Sequence, residues 1–157
     1  MLIPLLVPDA SVLLKWVLPS KNEPDADRAL LLRAAILKEA VRAILPTLWL
    51  YEVGNTIARR FPQQAADWMS ALMKFGLEEA PPTQSWLAKT LELTGRYEVS
   101  FYDAAYHALA LTHKGLFVTA DNRYLNRVTE AGSVIALSDW QPPVITPPHR
   151  RKRGSTL

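Results

Sequence analysis

Four carboxylates carry the chemistry this sequence could perform: Asp9, Glu52, Asp103 and Asp121. Each sits among apolar or small neighbours, in the strings VPDAS, LYEVG, FYDAA and TADNR. Acids that simply face water rarely have such company, so the contexts turn all four toward the interior. Four like charges in one cleft persist only with a cation between them or with raised proton affinities. Oxygen ligands without Cys or His suit a hard ion, Mg2+ or Mn2+. The chain has no cysteine, no phosphate-cradling glycine loop and no G-x-S-x-G elbow, so it offers no evident nucleophile of its own. That leaves an activated water as the attacking group.

Three of the acids also have a purely structural explanation. Asp9 can cap a helix that follows a first strand, Ser100 and Asp103 have the spacing of a capping box, and Asp121 can cap the helix after it. Glu52 has no such role among Leu48, Leu50, Tyr51 and Val53. His107, four residues after Asp103, could serve it as an acid–base partner, but a histidine on so apolar a helix is more often packed. His113 reads as a complement to a helix C-terminus, and His149 lies near the chain end. Trp16, Trp49, Trp68, Trp86, Tyr51 and Tyr102 recur with Leu and Val at helical spacing and read as core.

The elements that must position the acids alternate. Pro4–Pro8 reads as a buried strand and Asp9–Leu18 as a short helix, followed by a loop over Pro19–Pro24. Asp25–Ile44 reads as one long helix with Leu30, Leu37, Val41 and Ile44 on its core face and Arg28, Glu39 and Arg42 opposite. Leu45 and Pro46 mark a very short strand, Thr47–Phe61 a helix, and Pro62 starts another that runs to about Phe75. Leu77–Ala80 fits a strand, Gln84–Tyr97 and Ser100–Lys114 helices, and Gly115 a C-cap. Leu116–Thr119 is a strand, Asn122–Ala131 a helix and Ser133–Leu137 a closing strand. This alternation gives an α/β fold, a parallel β-sheet flanked by helices. Ligands in such sheets bind outside the carboxyl ends of the strands, where Asp9 and Asp121 stand.

At 157 residues the chain makes one domain with a core of ordinary size. We place that domain at residues 1–140. Residues 141–157 hold four of the twelve prolines and then Arg150, Arg151, Lys152 and Arg153, and read as a flexible tail. The excess of 18 basic over 15 acidic residues belongs to this tail, because without those four the body has 14 basic residues against 15. Nucleic-acid binding therefore has to be argued from local chemistry and not from bulk charge. No apolar run reaches the roughly 18 residues of a spanning helix, and the N-terminus lacks signal-peptide features, so a cytoplasmic protein with no membrane contact is expected.

Four stretches, in order, resemble the PIN-domain family: Asp9-Ala10-Ser11-Val12-Leu13-Leu14-Lys15-Trp16; Pro46 through Tyr51-Glu52-Val53-Gly54-Asn55; Ser100-Phe101-Tyr102-Asp103-Ala104-Ala105-Tyr106-His107-Ala108-Leu109-Ala110; and Val118-Thr119-Ala120-Asp121-Asn122-Arg123. The likeness spans residues 3 to about 139 and is greatest to VapC-type toxins of type II toxin–antitoxin pairs. It implies a three-layer sandwich in which Asp9, Glu52, Asp103 and Asp121 bind Mg2+ or Mn2+ and cleave RNA. It also implies that Thr119 steadies the cluster, that Asn55 is a helper amide, and that a cognate antitoxin and a homodimer are to be expected. A further acid that many relatives carry is missing, since Asn122, Arg123 and Asn126 occupy the nearby positions. Attack by water opposite the 3′ oxygen would leave a 5′-phosphate and a 3′-hydroxyl.

Four further readings follow. Leu31, Leu32 and Ile36 fall off the core face of the Asp25–Ile44 helix and suggest a groove for an antitoxin segment. Arg150, Arg151, Lys152 and Arg153 could contact RNA phosphates. A catalytically silent PIN-like binding module is the alternative to the nuclease. A phosphatase or receiver-type domain would want a second acid at position 11, where Ser11 stands.

Overall fold

The computed structural model describes residues 2–144 of the chain, so the basic run Arg150–Arg153 lies outside the described residues. Five short strands form the centre: β1 (Leu5–Pro8), β2 (Arg42–Pro46), β3 (Glu78–Ala80), β4 (Leu116–Thr119) and β5 (Val134–Ala136). All neighbours pair parallel, in the order β3-β2-β1-β4-β5. Helices α1 (Ala10–Leu14), α2 (Ala26–Leu37), α3 (Trp49–Arg60), α4 (Ala65–Lys74), α5 (Gln84–Tyr97), α6 (Phe101–Thr112) and α7 (Asn122–Arg127) flank the sheet. The expected α/β class and parallel sheet are present.

The connections decide where a site can form. The chain steps outward from β1 to β2 to β3, then returns past β1 to lay β4 on its other side. Connections leave β1 and β4 in opposite directions, which opens a crevice at their carboxyl ends. β4 matches β1 through Leu6↔Leu116, Val7↔Phe117 and Pro8↔Val118, so both strands end level. The apolar runs LLVP and LFVT are nearly continuous because these central strands are covered on both faces. α6 lies across β1, β2 and β4, and its residues Ala104–Ala110 are buried without interruption. Four aromatic rings meet there: Phe117 packs against Tyr106, His107 and Tyr124 at centroid distances of 6.3, 5.4 and 5.5 Å.

The long helix expected over Asp25–Ile44 ends at Leu37, and Val41 and Ile44 belong instead to the approach to β2 and to β2 itself. Glu39 takes the left-handed conformation (φ 56°), and the Ala40 amide reaches back to the Ala35 carbonyl at 2.9 Å. This is a Schellman stop without the glycine that usually announces one. The buried face of α2 is Ala26, Ala29, Leu32 and Ala35, while Leu37 is 60% exposed. Leu32 is thus core and cannot line an exposed groove; of the three residues proposed there, Leu31 is exposed and Ile36 half-buried.

Gly115 follows α6, yet Lys114 is the residue in the left-handed conformation (φ 55°). The glycine is needed for space, because a Cβ there would meet the Leu5 carbonyl oxygen at 3.0 Å and Leu5 Cγ at 3.2 Å. Gly115→Ala is expected to destabilise the fold by about 1–3 kcal/mol, as forced overpacking does. Chemical denaturation checks it, and an unchanged midpoint would mean that β1 yields freely.

Candidate active site

β1 and β4 deliver the first two acids. Asp9 follows Pro8 directly, and its amide donates to the Val118 carbonyl at 3.2 Å, which extends the ladder into the crevice. Its side chain caps α1, with Oδ1 accepting from the Val12 amide at 3.3 Å and from the Ser11 hydroxyl. The cap does not use up the group, because Oδ2 accepts from the Thr119 hydroxyl at 2.5 Å. Thr119 in turn accepts from the Asp121 amide at 3.0 Å, and Ser11 accepts from the Ala120 amide at 3.0 Å. Two hydroxyls therefore tie the end of β4 to the end of β1. Asp121 caps α7 by accepting from the Arg123 and Tyr124 amides, both through Oδ1, which leaves Oδ2 for another partner.

Helices supply the other two. Glu52 stands in the first turn of α3, partly buried, and Tyr106 Oη donates to its Oε2 at 3.3 Å. Asp103 stands in the first turn of α6, where its amide donates to the capping hydroxyl of Ser100 at 3.1 Å. Glu52, Asn55, Ser100 and Asp103 line one cleft of about 710 Å³ together with Leu48, Tyr51 and Tyr102. Ser100, Asp103 and Asp121 line an adjoining cleft of about 240 Å³ with Arg123 and Arg127.

The electrostatics join the acids into one group. Burial, opposed by the hydrogen bonds to Ser11, Thr119 and Val12, raises the Asp9 pKa to about 6, with the Asp103 charge adding to the rise. Burial and then the charges of Asp9 and Asp103 raise Glu52 to about 7. Asp103 is also raised, by burial first and further by Asp121. The ion pairs among the described residues are Lys15–Glu23, Arg42–Glu78, Lys89–Glu92 and Arg96–Glu130, and none includes these four acids. The donor set is thus all carboxylate and uncompensated, which in kind fits a hard dication. As they stand, no three His, Cys, Asp or Glu side chains among the described residues are arranged to hold a metal ion.

His107 is packed, as its apolar setting suggests. Its Nε2 lies 2.8 Å from the Gly132 carbonyl and its Nδ1 2.8 Å from Tyr124 Oη, while burial lowers its pKa. The carbonyl can only accept, so the neutral ring carries its proton on Nε2 and Tyr124 donates to Nδ1. The aromatic residues read together as core divide. Trp16 and Trp49 are buried and Trp68 and Trp86 half-buried, but Tyr51 and Tyr102 are 76% and 63% exposed. Ser11 and Tyr106, which hold Asp9 and Glu52, were not marked by spacing; only their place beside acids in the first and third motifs could have singled them out.

A model of the PIN domain matches residues 6–131. The chain belongs to the PIN-domain family. Solved structures share its fold. A chain of a toxin–antitoxin complex from Klebsiella pneumoniae superposes with a TM-score of 0.59 at 17% identity, covering 85% of this chain and 97% of that one. A crystallised protein of Pyrobaculum aerophilum superposes with a TM-score of 0.59 at 20% identity, covering 87% of this chain and 90% of that one. At such identities the likeness is one of fold. No curated protein matches the sequence. No helix among the described residues is long and apolar enough to cross a membrane.

Proposed function

We propose that this PIN-domain protein is a metal-dependent endoribonuclease, the toxin of a toxin–antitoxin pair. The observation that supports this best is that Asp9 and Asp121 stand at the carboxyl ends of β1 and β4, tied through Thr119, while Asp103 lines clefts shared with Glu52 on one hand and Asp121 on the other, none of the four being ion-paired among the described residues. Asp9, Glu52, Asp103 and Asp121 are the residues that would hold Mg2+ or Mn2+. A bound dication supplies a water of lowered pKa and shields the charge of a phosphodiester. Thr119 keeps Asp9 aimed by donating to Oδ2, and Asn55 offers an amide on the lip of the Glu52 cleft. The antitoxin partner rests on the resemblance and on the Klebsiella complex; Leu31 and Ile36 remain its proposed contacts, and a homodimer is proposed on the resemblance alone.

One observation favours the silent binding module: the acids are not gathered into a ready cage. The deciding experiment is incubation of the full chain with pooled tRNA and rRNA in Mg2+, in Mn2+ and in EDTA, with cut ends mapped. Discrete cuts leaving 5′-phosphate and 3′-hydroxyl ends, seen only with a divalent ion, are expected. No cleavage with either ion would favour the silent module, and cleavage in EDTA would remove the metal from the mechanism.

A further inference from the structure

The exposed tyrosines ask for an explanation that stability does not give. Tyr51 and Tyr102 each immediately precede a site acid, Glu52 and Asp103, and each lies in the first turn of its helix, α3 and α6. They come from chain segments about fifty residues apart, yet they line the same cleft with those acids. Leu48 and Tyr102 are shared with a second, largely apolar cavity of about 200 Å³ whose wall includes Pro46, Pro82, Trp86 and Phe101. Phe101 is fixed there by an edge-on contact with Trp86, at a centroid distance of 5.9 Å. Ser100 and Asp103, in turn, are shared with the polar cleft that holds Arg123 and Arg127. The surface thus runs from aromatic faces through the acids to a guanidinium lip.

We infer that Tyr51 and Tyr102 form a stacking platform that grips a nucleobase next to the phosphate presented to the acids. The inference rests on the nuclease reading above and names residues that reading does not use. Bases offer π-faces and phosphates offer charge, alternating along one strand, and the surface alternates in the same way. An apolar protein segment would have no use for arginines beside carboxylates at one end of its groove. Stacking tolerates any base, so the platform sets affinity more than sequence choice.

The test uses the full chain carrying Asp9→Asn, so that binding is measured without turnover. A fluorescein-labelled, mixed-sequence, single-stranded oligoribonucleotide containing 2-aminopurine is the probe, in Mg2+ buffer. Tyr51→Ala and Tyr102→Ala are each expected to weaken binding by about fivefold to a hundredfold, the loss typical of one stacked base. Both should also relieve the quenching of 2-aminopurine, while Tyr51→Phe and Tyr102→Phe keep affinity and quenching. In the otherwise wild-type chain the loss should fall on KM with kcat kept. Alanine variants that bind like the parent would overturn the platform, as would phenylalanine variants that lose as much as alanine. Unchanged RNA affinity with an altered sedimentation coefficient would overturn it too, assigning the aromatic wall to a second copy of the chain. A wild type that cleaves no RNA would defeat the nuclease reading while the binding series still judged the platform.

Discussion

Asp9→Asn is expected to abolish RNA cleavage and at the same time to raise the melting temperature of the metal-free protein at pH 7.5. The two effects have one cause. Asp9 is buried without an ion-pair partner among the described residues, and Glu52 and Asp103 lie close enough for its charge to be felt. Asparagine removes that charge but keeps an oxygen for the Val12 amide, and it caps a helix as well as aspartate does. One hydroxyl must turn, since an amide oxygen replaces two carboxylate oxygens that accept from Ser11 and Thr119. The net gain should be about 1–3 kcal/mol, or roughly 2–10 °C for a chain of this size. A purely structural Asp9 would give the opposite pair of results: lower stability and cleavage retained. Calorimetry in EDTA, beside the cleavage assay in Mg2+, separates the two.

The second large effect is on pH. In metal-free buffer the folded protein should lose stability as pH rises from about 4 to about 7. Asp9 and Glu52 release their protons near 3.8 and 4.5 when unfolded, but hold them to about 6 and about 7 when folded. Within that window the folded chain binds more protons than the unfolded one, so stability falls with rising pH. Asp9 alone accounts for a loss on the order of 3 kcal/mol. Glu52 is less buried and adds less, because water screens it. Millimolar Mg2+ should reverse the loss at pH 7.5 and do little at pH 4.5, where protons compete for the same oxygens. Denaturation midpoints across that pH range, with and without Mg2+, provide the measurement. A flat or rising curve without metal would mean that the carboxylates do not share a dry cleft.

Several elements were legible in the sequence because their signals are local. Gln84–Tyr97 and Leu116–Thr119 have the bounds expected of them, the first set by the Thr83 cap and the second by a continuous apolar run. The α2 boundary was not legible, since Glu39 adopts a left-handed conformation for which glycine or asparagine is the usual marker. Leu30, Leu31 and Leu32 are consecutive, so periodicity alone cannot choose the face, and the choice fell to packing, which selected Leu32. Apolar neighbours singled out the four acids, but Tyr51 and Tyr102 share those neighbours and point to water. Helical spacing reports a direction relative to the helix axis and says nothing of whether another element covers it. Only the crossover from β3 to β4 decides that.

That crossover has a consequence for how the protein comes into being. Its acids stand at positions 9, 52, 103 and 121, and the strand bearing Thr119 is inserted beside the first strand made. During synthesis the ribosome releases Asp9 early, but the hydroxyl that aims it arrives more than a hundred residues later. The full set of four acids, with Asp9 held by Thr119, therefore exists only after residue 121 has been made. For a protein proposed to cut RNA, the translating messenger and ribosome are the first RNA within reach, and the topology delays the assembled site until β4 has been laid beside β1.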